Sequence, residues 1–194
     1  MNSFELYFTL GRQHIADWQG YDHILFILVL CLRYVFADWK KVFFLVTAFT
    51  IGHSITLALS VLNVINFKQN WIEFLIPITI VITALSNVWV KKFVYKSNWS
   101  NIYFFALSFG LIHGLGFSNY LKNLLGKTSN VVWELFAFNI GLEVGQLMIV
   151  LGAMVLSFIC LNILKLNRRE YILFTSGGVF LVALIMAIER WPFK

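Results

Sequence analysis

Charge is scarce in this sequence. Only 12% of its 194 residues are charged, while 60% are hydrophobic. A soluble domain would be about one quarter charged, so a globule surrounded by water is excluded. Proline is nearly missing, with 2 residues against 20 Phe, which leaves the apolar stretches unbroken. The 2 cysteines, Cys31 and Cys160, fall in separate apolar stretches. They read as small buried hydrophobes rather than as a disulfide or a thiolate ligand pair. No glycine-rich phosphate loop occurs, which argues against a dehydrogenase or a kinase. The first residues, MNSFELYFTLGRQ, lack a basic start and carry Glu5 within the apolar run, so a signal peptide is not expected.

What remains is a set of apolar runs of about 20 residues, long enough to cross a bilayer core of roughly 30 Å. The expected fold is all-α: a polytopic membrane helix bundle of about six transmembrane helices, forming a single domain over 1–194. The spans are placed at 18–37, 42–65, 71–90, 101–125, 131–162 and 170–189. Residues 1–17 are too short and too mixed to span, and are read as a short interfacial helix. The net charge of +6 sits mostly between spans and is no sign of nucleic-acid binding. Arg33, Lys40, Lys41, Lys91, Lys92, Lys96, Lys165, Arg168 and Arg169 fall on one side. Arg12, Lys68, Lys122, Lys127, Arg190 and Lys194 fall on the other. The larger group marks the cytoplasm, so both termini are expected outside. The sequon Asn98-Trp99-Ser100 then lies on the cytoplasmic side and is discarded.

Histidine is as rare as it is informative. Of 4 residues, His14 and His23 stand with Asp22 around the head of the first span, and His53 and His113 lie deep in later spans. At 1.5 Å per residue, His53, His113 and Glu143 all fall roughly 17–18 Å from a span end, at one mid-membrane level. Asp22 and His23 fall roughly 6 Å below the outer surface, as a second layer. Asn139, Glu143 and Gln146 share one helix face, as do Thr50, His53 and Thr56; a threonine there either orients the imidazole or bonds back to its own helix. Glu134 reads as a solvated helix end. Gly110 with Gly114, and Gly141 with Gly145, form small-xxx-small pairs that suggest close packing of the fourth and fifth spans on each other.

Ionisable groups within a bilayer must be paired, hydrated or metal-bound. Imidazole is the commonest side-chain metal ligand, and a carboxylate offsets part of a divalent charge. The site is therefore expected to hold a divalent transition metal on His23, His53, His113, Asp22 and Glu143, with His14 helping and Asn139, Gln146 and Thr56 in support. A donor set of nitrogen and oxygen suits Ni, Zn, Co or Fe(II) rather than Cu(I). A proton relay or a static hydrogen-bond network is the alternative. The spacing matches no compact metalloprotease motif.

Several segments resemble the HupE/UreJ membrane proteins, and the short HupE/UreJ-like branch in particular. They are His14-Ile15 with Gly20-Tyr-Asp22-His23-Ile-Leu-Phe26; Phe49-Thr-Ile-Gly-His53-Ser-Ile-Thr-Leu57; Glu73-Phe-Leu-Ile-Pro77; Phe109-Gly-Leu-Ile-His113-Gly-Leu-Gly-Phe117; and Phe138-Asn139-Ile-Gly-Leu-Glu143-Val-Gly-Gln146. The family pattern H-P-x-x-G-x-D-H is altered here, with Ile15 in place of proline and two more residues before Asp22. The resemblance implies a protein of the bacterial cytoplasmic (inner) membrane that handles nickel or cobalt and serves a nickel-enzyme maturation system.

Two functions follow as expectations. The first is a transition-metal uptake permease, nickel above all, with Asp22 and His23 as outer capture groups and His53, His113 and Glu143 as the inner site. The second is an intramembrane zinc-type hydrolase acting on a lipid or a membrane-proximal peptide, with Glu143 or Asp22 as its base. A non-catalytic scaffold subunit is a weaker third.

Overall fold

The computed structural model describes residues 2–18, 20–89, 99–125 and 130–193, with the side chains of 99–102 excepted. Among these residues there are seven α-helices and no strand. They are α1 (Ser3–Ile15), α2 (Asp22–Cys31), α3 (Trp39–Val61), α4 (Gln69–Trp89), α5 (Trp99–Leu125), α6 (Val131–Phe158) and α7 (Arg168–Glu189). A π-helical turn, Ile159–Ile163, extends α6. The loop carrying Lys91, Lys92, Lys96 and Asn98 lies outside the described residues, as do Lys127 and Lys194.

Local chemistry sets several of these boundaries. Asp22 stands in the first turn of α2, where a negative charge favours the helix N-terminus. Asp38 precedes α3, accepts from Lys41 Nζ at 2.6 Å and from the Val35 backbone N–H at 3.4 Å, and so anchors the turn before that helix. Asn63 takes up φ 58° just past the end of α3, the left-handed conformation that asparagine tolerates. At the start of α7 the Asn167 side chain accepts from the Arg169 backbone N–H at 2.9 Å, an ordinary N-cap. Pro77 lies inside α4. Without an N–H it leaves the Glu73 carbonyl without its helical partner.

Among the described residues five stretches are long and apolar enough to cross a membrane: Phe36–Val61, Gln69–Trp89, Tyr103–Leu125, Val131–Ile163 and Arg168–Glu189. They correspond to the second to sixth expected spans. The first expected span, 18–37, is cut to the ten residues of α2, because Asp17, Trp18 and Gly20 are not helical.

The helices pack chiefly in pairs: α3 with α5, α1 with α6, and α4 with α7. In the first pair, a Cβ on Gly110 would strike the Phe49 carbonyl, and one on Gly114 would strike that of His53. Residue numbers rise together, so α3 and α5 run parallel with their backbones in contact. In the second pair, Phe4 meets Trp133 at 5.7 Å between ring centroids. A Cβ on Gly141 would strike the Phe8 carbonyl, and one on Gly145 would lie 3.0 Å from that of Arg12. Beyond α2, Tyr34 and Val35 share a cavity wall with Met154, Ser157 and Phe158. Thus α1, and then α2, follow α6 in the same direction from its beginning to its end. The expectation that Gly110/Gly114 and Gly141/Gly145 pack the fourth and fifth spans on each other is corrected: each glycine face receives another helix.

α4 and α7 run antiparallel. Phe74 meets Trp191 at 5.2 Å near one end, and Asn87 Nδ2 donates to Ser176 Oγ at 3.2 Å toward the other. Asn87 also accepts from Arg33 Nε and donates to the Val29 carbonyl at 2.8 Å, while Arg168 donates to the Arg33 carbonyl at 2.8 Å. This network ties the end of α2 to α4 and α7 and satisfies buried polar groups that would otherwise be costly. Cys31 is buried, Cys160 half-buried, and both are free. Glu134 is buried rather than a solvated end. The outward faces carry large apolar side chains such as Phe44, Ile51, Phe104, Leu151 and Phe174, as a multi-pass membrane protein requires.

Candidate metal centre

Four helices bring the four histidines together. His14 comes from the last turn of α1, His23 from the first turn of α2, His53 from the middle of α3 and His113 from the middle of α5. The ring of His14 lies 4.8 Å from that of His23 and 6.1 Å from that of His53, and His23 lies 6.3 Å from His53. One ligand nitrogen from each of these three falls within 4.8 Å of the others. His113 adjoins the group, 5.1 Å from the His23 ring. The two layers expected for this region are therefore one. Asp22 and His23 sit beside His53 rather than above it, because α1 ends, and α2 begins, at the depth of His53.

The close seam of α3 and α5 explains the position of His53. Its carbonyl lies against Gly114, its ring is fully buried, and its neighbours include Phe49. His14 is set by the matching seam of α1 and α6. Its ring lies 3.8 Å from Phe117 and 6.0 Å from Phe138, so a wall of aromatic rings holds it in place.

Both nitrogens of His53, Nε2 of His14, Nε2 of His23 and Nδ1 of His113 are buried and have no hydrogen-bond partner among the described residues. So many unpartnered imidazole nitrogens in one place are expensive in an apolar setting. A cation that accepts their lone pairs removes that cost, and the residues present fit such an ion. Zn–N bonds of about 2.0–2.1 Å in a tetrahedral site place ligand nitrogens roughly 3.4 Å apart. The three rings have to close in by small rotations to reach it.

Two neighbours fix which nitrogens face the centre. Thr79 Oγ1 donates to the Ile76 carbonyl at 2.7 Å and lies 3.1 Å from His113 Nε2. Its only proton is committed to the carbonyl, so His113 Nε2–H donates to the hydroxyl and Nδ1 keeps the lone pair. Asp22 Oδ1 lies 3.1 Å from His23 Nδ1, an ion-pair contact off the line of a straight hydrogen bond. It also accepts from the His23 backbone N–H at 3.0 Å. A carboxylate behind a ligand imidazole orients the ring and raises its basicity, which leaves His23 Nε2 for the ion. Asp22 would then stand behind a ligand rather than serve as one.

The other expected residues lie further off. Glu143 Oε1 accepts from Thr47 Oγ1 at 2.8 Å. Thr47 precedes His53 by six residues, roughly 9 Å along the helix. Gln146 Oε1 accepts from Thr50 Oγ1 at 2.7 Å, while Gln146 Nε2 and Asn139 Oδ1 are buried without partners among the described residues. The Thr56 hydroxyl bonds back to the Gly52 and His53 carbonyls at 3.2 and 3.3 Å and leaves the imidazole alone. Glu143, Gln146, Thr50 and Thr47 form a polar step between α3 and α6, separate from the imidazoles.

A cavity of about 280 Å³ leads to the centre. Its wall includes His14, His23, His113, Asp22, Glu73 and Arg190. It lies where α4 begins and α7 ends, and Glu73 marks its exposed rim. Thr79, Thr47 and Arg190 were not singled out from the sequence. The position of Thr79, two residues past Pro77, is the only local hint among them.

A family model described as HupE / UreJ protein matches residues 1–190. No curated protein and no solved structure gives a significant match. The match spans every helix described above, including the four that supply histidines, and the chain belongs to the HupE/UreJ protein family.

Proposed function

We propose that this protein is a permease that takes up a divalent transition metal, nickel above all, across a bacterial cytoplasmic membrane. The observation that carries this reading is the group formed by His14, His23 and His53, with buried nitrogens that have no partner among the described residues, two of its members, His14 and His23, lining a cavity. Imidazole donors without a thiolate suit Ni, Co, Zn and Fe(II), and the family's association with nickel and cobalt selects among them. Both termini lie outside, so the cavity beside Arg190 faces outward and receives the ion. The polar step of Thr50, Gln146, Thr47 and Glu143 is the way inward, toward a nickel-enzyme maturation system in the cytoplasm. A site within the membrane, fed from one side through breaks between short helices, is a common arrangement in secondary transporters.

The hydrolase reading has less support. It needs a carboxylate free to take a proton beside a metal-bound water. Of the two carboxylates expected in that role, Asp22 is engaged with His23 and Arg190 and Glu143 with Thr47; the remaining carboxylate of the cavity, Glu73, stands on its exposed rim.

The test is nickel accumulation in a host that lacks its own uptake system. Expression of the protein should raise cellular nickel, and His53→Ala at equal membrane abundance should return it to background. Accumulation that His53→Ala leaves unchanged would sink the permease reading.

A further inference from the structure

A basic side chain in the wall of a cation site needs an explanation. Arg190 is the residue after α7 and lines the same cavity as His14, His23 and His113. Its Nη1 lies 3.3 Å from Asp22 Oδ2. Left in place, its charge repels any metal ion that enters.

The two oxygens of Asp22 are held unequally. Oδ1 has the backbone and the ring of His23, at 3.0 and 3.1 Å. Among the described residues Oδ2 has one polar contact, to Arg190, longer than the roughly 2.7–2.9 Å usual for a charge-assisted bond. The two side chains also differ in their access to water. That of Asp22 is 10% exposed and that of Arg190 is 32% exposed. A buried carboxylate without a counter-charge is strongly unfavourable, so an empty centre needs Arg190. The carboxylate cannot leave, but the guanidinium can.

We propose that Arg190 is a displaceable counter-ion: it covers Asp22 while the imidazole centre is empty and is driven off when a divalent cation enters. This rests on the metal reading given above and adds a residue that determines selectivity. A divalent ion on His14, His23 and His53 supplies Asp22 with more positive charge than Arg190 does and repels the guanidinium at the same time. A monovalent ion offers Asp22 no more charge than Arg190 already gives, so it does not open the mouth. Glu73, exposed in the same wall, is a second carboxylate toward which the released guanidinium can swing. Arg190 touches no metal in this scheme. It acts through Asp22, and Asp22 acts through His23.

The experiment uses the full chain in lipid nanodiscs, with Co²⁺ as a probe whose visible absorption reports imidazole ligation. Arg190→Gln and Arg190→Met each remove the charge, and Arg190→Lys keeps it. The two neutral variants should bind Co²⁺ about tenfold more tightly, since the lost attraction is that of a partly exposed ion pair. Arg190→Lys should stay close to the wild type. In an Asp22→Asn background, Arg190→Gln should bring no gain, because the carboxylate it covers is no longer charged. Excess K⁺ should weaken Co²⁺ binding in Arg190→Gln and not in the wild type. If the wild type binds Co²⁺ and neither neutral variant binds it more tightly, the counter-ion idea is overturned and the metal site stands. A gain that persists undiminished with Asp22→Asn also overturns it. If neither the wild type nor Arg190→Gln shows any ligated Co²⁺, the metal reading falls and this inference with it.

Discussion

At the level of single residues, the imidazoles differ in what each is asked to do. His14→Ala or His53→Ala removes one of three converging donors, and either change should abolish tight Co²⁺ binding. His113 adjoins the group, so His113→Ala should weaken binding without abolishing it. Titration of Co²⁺ absorption on the three variants checks the order. Equal and total loss in all three would make His113 a full ligand. Thr79→Val tests the tautomer assigned to His113. It leaves a buried N–H without an acceptor, which should destabilise the protein by about 1–3 kcal/mol, read as a lower temperature for loss of monodisperse protein. Glu143→Gln should retain Co²⁺ at full stoichiometry, because Glu143 bonds to Thr47, and should slow nickel uptake by disturbing the step below the centre. Loss of Co²⁺ in that variant would return Glu143 to the ligand set. The four histidines could be read from the sequence because charge-bearing rings are rare in apolar runs. The pairing of Asp22 with Arg190 could not be read, since 168 residues separate the partners and no periodicity links them.

At the level of elements, two parallel seams hold the site. Gly141→Val places branched carbons where the Phe8 carbonyl already lies. The helices must part, at a cost of about 1–3 kcal/mol or more. His14 moves with α1, so the same change should remove Co²⁺ binding although no ligand is altered. Gly152, on the same helix, has nothing within 4 Å of a built Cβ, and Gly152→Ala should be silent in both assays. Protease sensitivity of the first 20 residues should separate the two variants. The sequence shows the small-residue faces of these helices plainly but does not say which helix each face receives. It also supplies the correction for Glu143. Residues two apart on a helix differ by about 200°, so an α6 that turns Gly141 and Gly145 toward α1 must turn Glu143 away from His14. Depth counted along one axis places residues at a level, and only the rotation of each helix decides whether they meet. The first span was misplaced for another reason. The apolar run proper begins only at Ile24, and the expected span reached back over the polar residues before it; Asp17, Trp18 and Gly20 are not helical, and α2 starts at Asp22.

For the whole molecule, the proposed orientation places the ends of α2 and α4 and the start of α7 in the cytoplasm. Reporter fusions after Lys96 and Arg169 should both report cytoplasm, and a tag after Phe193 should be reachable from outside. Both fusions reporting the outer side would invert the molecule and turn the cavity into an exit. The pairing of α1 with α6 also governs how the protein is made. His14 is among the first residues to leave the ribosome, and the helix it lies against ends at Phe158, 144 residues later. At about 5–20 residues per second, α1 waits on the order of ten seconds for its seat. During synthesis the nascent chain therefore carries all four histidines with His14 not yet docked on α6, and the proposed trap for a passing metal ion is unfinished. A chain stopped at Leu125 should insert and leave Co²⁺ unbound, although all four histidines are present. Supplying 126–194 as a separate polypeptide should restore binding by giving α1 its partner. Maturation of the centre is then timed by translation itself, with the last third of the chain acting as the signal that the first fifteen residues can dock.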